Sequence, residues 1–391
     1  EGNRKLQKAQ KILSEGNLDK SLKLTDEVLA KEPRELEAYN LKIRILVAQR
    51  KFLAAGETYQ QMLGNNTADY PPALVSLSWG VIIESFSDKS FFVRGSAALA
   101  LGEIWDVRAL KPLEKLLSDE FDIVKVRAVE AMGQLNQKDA IPILKSLVND
   151  KRYLLRSAAA ESLNKLGDSS GLPVMIEDLA NSAWSVRARA AEVLGRSGDI
   201  SAVGALRRKL RDENQYVRVK VAEALARCGD TSVKPIFEET LKKRDWPDRV
   251  RAAQAMMTLR GEAEALELLK DAMNQKDWKI RAQASEALGK SKNTSAMGVL
   301  EKYADDPRWE VRFAVAKALV DLGDTSGTAQ LRKLLNSDDA EVRANSASAL
   351  GTAGDKDDFL YLRQALSDAD GRVRVQSAKS IIQISQRLNP N

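Results

Sequence analysis

The sequence predicts an all-α protein, a right-handed α-solenoid of about ten helix pairs preceded by two helix pairs of another kind. Three observations predict it. First, a branched apolar residue followed by arginine heads an Ala-rich segment ten times, at Arg94, Arg127, Arg156, Arg187, Arg218, Arg251, Arg281, Arg312, Arg343 and Arg374. Successive spacings are 33, 29, 31, 31, 33, 30, 31, 31 and 31 residues, and a recurrence of this length marks stacked supersecondary units. Second, Gly167, Gly198, Gly229, Gly323 and Gly354 each lie eleven residues after their arginine, where glycine supplies the left-handed backbone that ends a helix. Third, the chain of 391 residues is 44% hydrophobic and 30% charged but only 5% aromatic, a helical vocabulary in a chain too long for one compact core.

From the N-terminus, residues 2–69 read as two 34-residue units. The first holds GNLDKSL followed by Pro33; the second, RKFLAAGETYQQML, has Arg50 where a glycine is expected. This pattern resembles a tetratricopeptide repeat and defines a domain over 1–69. A helix around Pro72 to Ser85 bridges it to the array of residues 70–391. Within the array, Asp168, Asp199, Asp230, Asp324 and Asp355 follow the closing glycine and are placed to cap the next helix. Asp150, Asp212, Asp245, Asp306 and Asp368 sit six residues before their arginine, near the start of its helix.

Together these residues follow D-x-x-x-x-VR-x-x-A-x-x-LG-x-x-GD, which resembles the HEAT family over about residues 72 to 388, in particular its short bacterial variant named for phycobilisome lyases. Family members carry proline in the helix before the arginine helix. Pro112, Pro142, Pro173 and Pro235 fit, while Gly204, Gly298 and Ala329 replace it, so helix bending should vary along the array. The resemblance implies that the repeated arginines hydrogen-bond neighbouring acids and carbonyls along the stack. That makes them internal architecture in preference to a phosphate-binding ladder.

The chain contains no histidine, which excludes His-based nucleophile activation, His acid-base catalysis and the commonest metal ligand. No Gly-rich phosphate loop, metal cluster or nucleophile elbow occurs, so no catalytic residue, metal or cofactor is expected and the chain reads as a non-enzyme. Cys228 is the single cysteine; beside a helix end it reads as a small packing residue, and no intrachain disulfide is possible. The charge of +6, from 61 basic and 55 acidic residues, is too small an excess to name a partner. No run of 18 apolar residues exists to span a membrane. The chain opens on Glu1, not Met; trimming or loss of a leader would each explain this, leaving cytoplasm and envelope both open.

Counting from each arginine, helical geometry places the exposed ridge at plus two, plus five and plus nine. There Glu161 with Lys165, Glu192 with Arg196, Glu223 with Arg227 and Glu286 with Lys290 form i,i+4 pairs, which neutralise the ridge and would repel a phosphate backbone. Arg189 and Lys220 are exceptions. The same ridge turns apolar at Leu99, at Val129 and Met132, and at Met256, either as adaptable contact surface or as residues buried under neighbouring repeats. Trp246, in the loop KKRDWPDRVR, is a further contact candidate. Phe91, Tyr153, Trp184, Trp278 and Trp309 stand three residues before their arginines. They fit a stacking edge and also the sealing of grooves between repeats.

The resulting expectation is a repeat scaffold or adaptor. It binds protein or peptide partners through the array's groove and through the N-terminal repeats. Two alternatives come from relatives of the repeat: a bilin-lyase-like accessory enzyme, and a DNA-binding solenoid, against which the paired glutamates argue. Deoxyhypusine hydroxylases build a di-iron site from His-Glu pairs, which a chain without histidine cannot form.

Overall fold

A computed structural model describes residues 2–66, 70–258 and 262–389. Among them there are helices and no strands. The chain forms two compact units: Glu1–Ile104 together with Leu335–Asn391, and Trp105–Leu334. The sequence-based division after residue 69 falls at a position outside the described residues.

The first unit opens with α1 (Gly2–Ser14), α2 (Leu18–Lys31), α3 (Leu36–Ala48), α4 (Phe52–Asn65) and α5 (Pro71–Glu84). Leu6, Ala9, Val28, Ala38, Leu41 and Ile45 form the core of the first helices. Gly16 has φ +85°, and Arg50 adopts φ +60° at the equivalent turn between α3 and α4. The turn geometry thus survives without glycine, at the steric cost a side chain meets in the left-handed region. Helix α5 packs on α3 and α4. Next comes α6 (Phe91–Glu103).

In the second unit, short leading helices alternate with longer anchor helices that carry the repeated basic residue. They are α7 (Leu110–Leu116), α8 (Asp122–Gln134), α9 (Ile141–Leu147), α10 (Tyr153–Lys165), α11 (Leu172–Asp178), α12 (Trp184–Ser197), α13 (Val203–Lys209) and α14 (Gln215–Arg227). The series continues through α15 (Lys234–Leu241), α16 (Trp246–Thr258), α17 (Glu262–Ala272), α18 (Trp278–Lys290), α19 (Met297–Glu301), α20 (Trp309–Asp321) and α21 (Thr325–Leu334). The C-terminal part of the first unit supplies α22 (Ala340–Ala353), α23 (Asp358–Ala365) and α24 (Gly371–Leu388).

These boundaries correct the repeat register. The anchor is the fourth residue of its helix in every unit, which places Lys125, not Arg127, in α8 and Arg249, not Arg251, in α16. Spacing is then 31 residues from Arg94 through Arg249, 32 to Arg281, and 31 thereafter. Trp246 therefore opens α16 at the same position as the other ladder aromatics instead of sitting in a longer loop. Asp245, four residues before Arg249, is the direct cap of α16: its carboxylate accepts from the Asp248 N–H at 3.1 Å.

Gly167, Gly198, Gly229 and Gly323 have φ between +66° and +86°. Gly354 does not: it lies at φ −70° in extended backbone. After the turn, Asp168, Asp199 and Asp230 accept from the backbone N–H two residues on, at 2.8–3.0 Å. Each thereby caps a single 3-10 turn that feeds the leading helix. That 3-10 turn is present with Pro142, Pro173 and Pro235, persists with Gly204 and Gly298, and gives way to one continuous helix, α21, around Ala329. Proline is compatible with the break and does not cause it.

In the first unit, the last helix closes on the first repeat. Helix α24 packs on α5, α6 and α22. Gln376 Nε2 donates to Ser96 Oγ at 2.9 Å, and Lys379 Nζ reaches Glu103 Oε2 and Ser348 Oγ, both at 2.7 Å. Gln383 and Gln386 donate to the carbonyls of Glu103 and Ile104.

Candidate functional site

The anchor arginines point into the stack. In Arg94, Arg156, Arg187, Arg218, Arg281, Arg312, Arg343 and Arg374, one Nη donates to the two carbonyls five and six residues upstream. Four also form fork-on-carboxylate pairs: Arg187 with Asp212, Arg281 with Asp306 and Arg343 with Asp368, at 2.7–3.0 Å, and Arg156 with Asp178 at 2.7 Å. Asp178 serves Arg156 because the next return loop offers Asn181 in place of aspartate. The Arg187–Asp212 side chains are 5% and 3% exposed, so the pair lies inside the protein. Burial pushes the Asp212 carboxyl up, but the Arg187 guanidinium and the Asn214 N–H hold it below the ordinary range. Arg127 and Arg251 do none of this: they pair locally, with Glu130 at 2.8 Å and with Asp248.

The two-residue register shift also displaces the apolar ridge. Val129, Met132 and Met256 are buried, at 0%, 0% and 2% exposure, and are not contact surface; the true plus-two, plus-five and plus-nine positions in α8 are Arg127, Glu130 and Gln134. Leu99 is half-buried on α6 between Ser96 and Glu103, both of which bond α24. Trp246 is half-buried against the core, with the Arg249 guanidinium 4.0 Å from its ring centre. Trp278 likewise packs on the core and lies under Arg308 at 4.7 Å. Trp184 is half exposed and meets Tyr216 edge-on at 5.6 Å. Cys228 is half-buried, and burial, with Asp199 and Asp230 nearby, pushes its thiol up, away from reactivity.

With the register set, the ridge of the second unit carries glutamate at plus five in α8, α10, α12, α14 and α18: Glu130, Glu161, Glu192, Glu223 and Glu286. Helix α16 has Gln254 there, and α20 has Lys317, which pairs with Asp321 at 3.3 Å. From α10 to α12 the charges interlock across repeats. Glu161 takes Lys165 at 3.3 Å, Arg189 at 3.2 Å and Arg196 at 3.0 Å, while Glu192 takes Arg189 at 3.1 Å and Arg196 at 2.5 Å. Burial alone would raise the Glu161 carboxyl; the attraction of Arg196, Lys165 and Arg189 outweighs it and leaves the group below its ordinary value. Arg189 is thus fully engaged. Lys220 pairs with Glu223 at 2.9 Å, which leaves Arg227 without an ion pair among the described residues, contrary to the expected Glu223–Arg227 pairing.

Beside Gln254 the ridge opens into a cavity of about 530 Å³ between α14, α16 and α18, lined by Lys220, Glu223, Arg227, Arg251 and Lys290. Its apolar floor is Ala255, Met257 and Ala287. Glycine explains where the stack closes and where it opens. At anchor plus eight, Gly133, Gly195, Gly289 and Gly351 lie so close to the next anchor helix that a Cβ would stand 2.4–2.6 Å from atoms of Ser162, Ala224, Ala318, and of Gln383 and Ser380. The same position is Asn164 in α10, Ala226 in α14, Met257 in α16 and Val320 in α20. Helix α16 accordingly packs less closely on α14 and α18 than α12 does on α14.

The repeat geometry and the internal arginine–aspartate bonds accord with one family. The family model described as HEAT repeats matches residues 110–185, 172–258, 235–320, 265–350 and 328–387, and the PBS lyase HEAT-like repeat matches 93–119. The chain belongs to the HEAT-repeat family. No curated protein matches this HEAT chain. Similar solved structures include the complex of CpcE and CpcF of phycocyanin lyase from Nostoc sp. PCC7120, at 23% identity and TM-score 0.42 over 62% of this chain and 94% of that one. Human deoxyhypusine hydroxylase in complex with glycerol is 21% identical, with TM-score 0.30 over 71% and 98%. The E. coli protein YibA is 19% identical, with TM-score 0.33 over 61% and 91%. Among the described residues of the HEAT chain, no cluster of three or more Cys, Asp or Glu is arranged to hold a metal, and no helix is long and apolar enough to cross a membrane.

Proposed function

We propose that this HEAT-repeat chain is a non-catalytic scaffold that binds protein partners along the ridge of its second unit, with the tetratricopeptide-like residues 1–69 offering a second, smaller surface. One observation carries the reading. Most ridge charges are paired, within one helix or, for Glu161 with Arg189 and Arg196, across repeats, whereas at α16 a cavity opens in which Arg227 has no ion pair among the described residues. A surface satisfied nearly everywhere and unsatisfied at one place is suited to selective docking. Affinity capture from the native source, with cross-links mapped to the chain, tests this: cross-links concentrated on α14, α16 and α18 support it, and a monodisperse protein that retains nothing specific refutes it.

The match of residues 93–119 to the PBS lyase HEAT-like repeat favours a second reading, a bilin-lyase-like accessory role. Mixing the protein with a free bilin and finding no absorbance shift would remove it. The glutamate row speaks against duplex DNA, since alternating acids repel phosphates.

A further inference from the structure

We infer that the cavity at α16 is a docking site for an acidic peptide segment of a protein partner, whose carboxylate stands in for the glutamate that the ridge lacks at position 254. This deepens the scaffold reading and rests on it.

Helix α12 supplies the bonding rule. In α12, the plus-two Arg189 and plus-nine Arg196 each bond the plus-five glutamate of their own helix and that of the preceding one. Applied to α16, the rule pairs Arg251 with Glu223 and with residue 254. Residue 254 is glutamine, Glu223 is taken by Lys220, and Arg251 turns to Asp248 on its own helix. Applied to α14, the rule gives Arg227 two glutamates; it has none. Two guanidiniums thus line one cavity without the glutamates that α12 would give them: Arg227 has no ion pair among the described residues and Arg251 is held by Asp248 alone, and they are flanked by Lys220 and by Lys290, which Glu286 holds at 2.5 Å.

Its volume, about 530 Å³, falls within the roughly 300–1,000 Å³ of ligand sites. The floor of Ala255, Met257 and Ala287 offers apolar surface to the stem of a glutamate or to a flanking apolar side chain, with Met257 adaptable in shape. A planar guanidinium grips a carboxylate through two parallel hydrogen bonds, and a concave setting raises the local concentration of an anionic segment. A peptide fits better than a simple ion because the four cations, of which Arg227 alone has no ion pair among the described residues, are spread along the groove over an apolar base.

The test uses the full chain and a fluorescein-labelled ten-residue peptide rich in glutamate with two leucines, followed by anisotropy at low and high salt. Gln254→Glu supplies the absent carboxylate from within and should weaken binding tenfold or more. Arg227→Gln, at an exposed position, should do the same without affecting folding, which thermal melting verifies. Arg127→Gln on α8, outside the cavity, should leave binding within twofold. Equal affinity of the parent and both cavity variants overturns the inference, as does an equal loss in the Arg127 control. Displacement of the peptide by inorganic phosphate at submillimolar concentration overturns it too, by marking an unselective anion site. If partner capture persists while the cavity variants behave like the parent, this inference alone falls; if capture fails while the peptide binds in the cavity as expected, the scaffold reading falls and the site stands.

Discussion

Between α12 and α14 the two backbones almost touch, with Gly195 facing the Ala224 Cα across a gap that would leave an added Cβ only 2.5 Å of clearance. Around α16 the same repeat chemistry leaves a 530 Å³ opening. What separates the two is one side chain at one position of the repeat, glycine in the tight pairs and Met257 or Ala226 beside α16. A solenoid's stability is a sum of units and interfaces, so a side chain at this position loosens the joints on either side of α16 while the glycine pairs stay closed.

Five measurements probe the two kinds of joint. Arg187→Ala should cost about 3 kcal/mol, because it strands the buried Asp212 carboxylate; Arg127→Ala, in an exposed local pair, should change stability by less than about 0.5 kcal/mol. Urea melts of both decide whether the corrected register assigns the structural role properly. Gly195→Val should cost about 2 kcal/mol by overpacking against the Ala224 backbone, and a neutral result would mean the tight joint can open as readily as the one at α16.

Acid stability is the third. Hydrogen bonds from Arg152, Lys145 and Arg207 hold Asp150, Asp168 and Asp230 at about 2, below the unfolded value of about 3.9. A carboxyl depressed by folding stabilises the protein above its unfolded value and loses that contribution as the proton binds. Stability should accordingly be flat from neutrality to about pH 4 and fall towards about pH 2, as followed by far-ultraviolet circular dichroism. Smallest, Gly204→Ala in α13, where nothing lies within 4 Å of the added carbon, should gain about 0.5 kcal/mol. Hydrogen exchange should meanwhile show the amides of α16 opening before those of α12 and α14.

The fold was legible in the sequence because glycine, capping aspartate and anchor arginine recur at fixed offsets, and each offset has a mechanical reason. The candidate site was not, and the cause is specific. Taking the apolar-Arg dipeptide as the marker selected Arg127 and Arg251, two residues beyond the true anchors Lys125 and Arg249. That error turned buried Val129, Met132 and Met256 into apparent ridge residues and moved Trp246 into a loop. It also hid the plus-eight glycines, since Gly133 then fell at plus six. A 31-residue ruler laid from Arg94 to Arg249 would have recovered Gly133 and Gly195 and exposed Gln254 as a break in the glutamate row. The cavity itself depends on how far apart α14, α16 and α18 stand, a distance that no local pattern encodes.

The bonds of α24 to Ser96, Glu103 and Ile104 join residues about 280 positions apart in sequence. Repeat arrays ordinarily fold by local nucleation and fray from their ends. Here the two ends of the array shield each other, so neither can unravel alone, and the contact forms only after residues 371–388 have followed the rest of the array. Such long-range closure slows the final folding step and makes the eighteen residues of α24 a latch: a chain truncated before Gly371 would uncover α5, α6 and α22 together, and proteolysis at that point would be felt at both ends of the array.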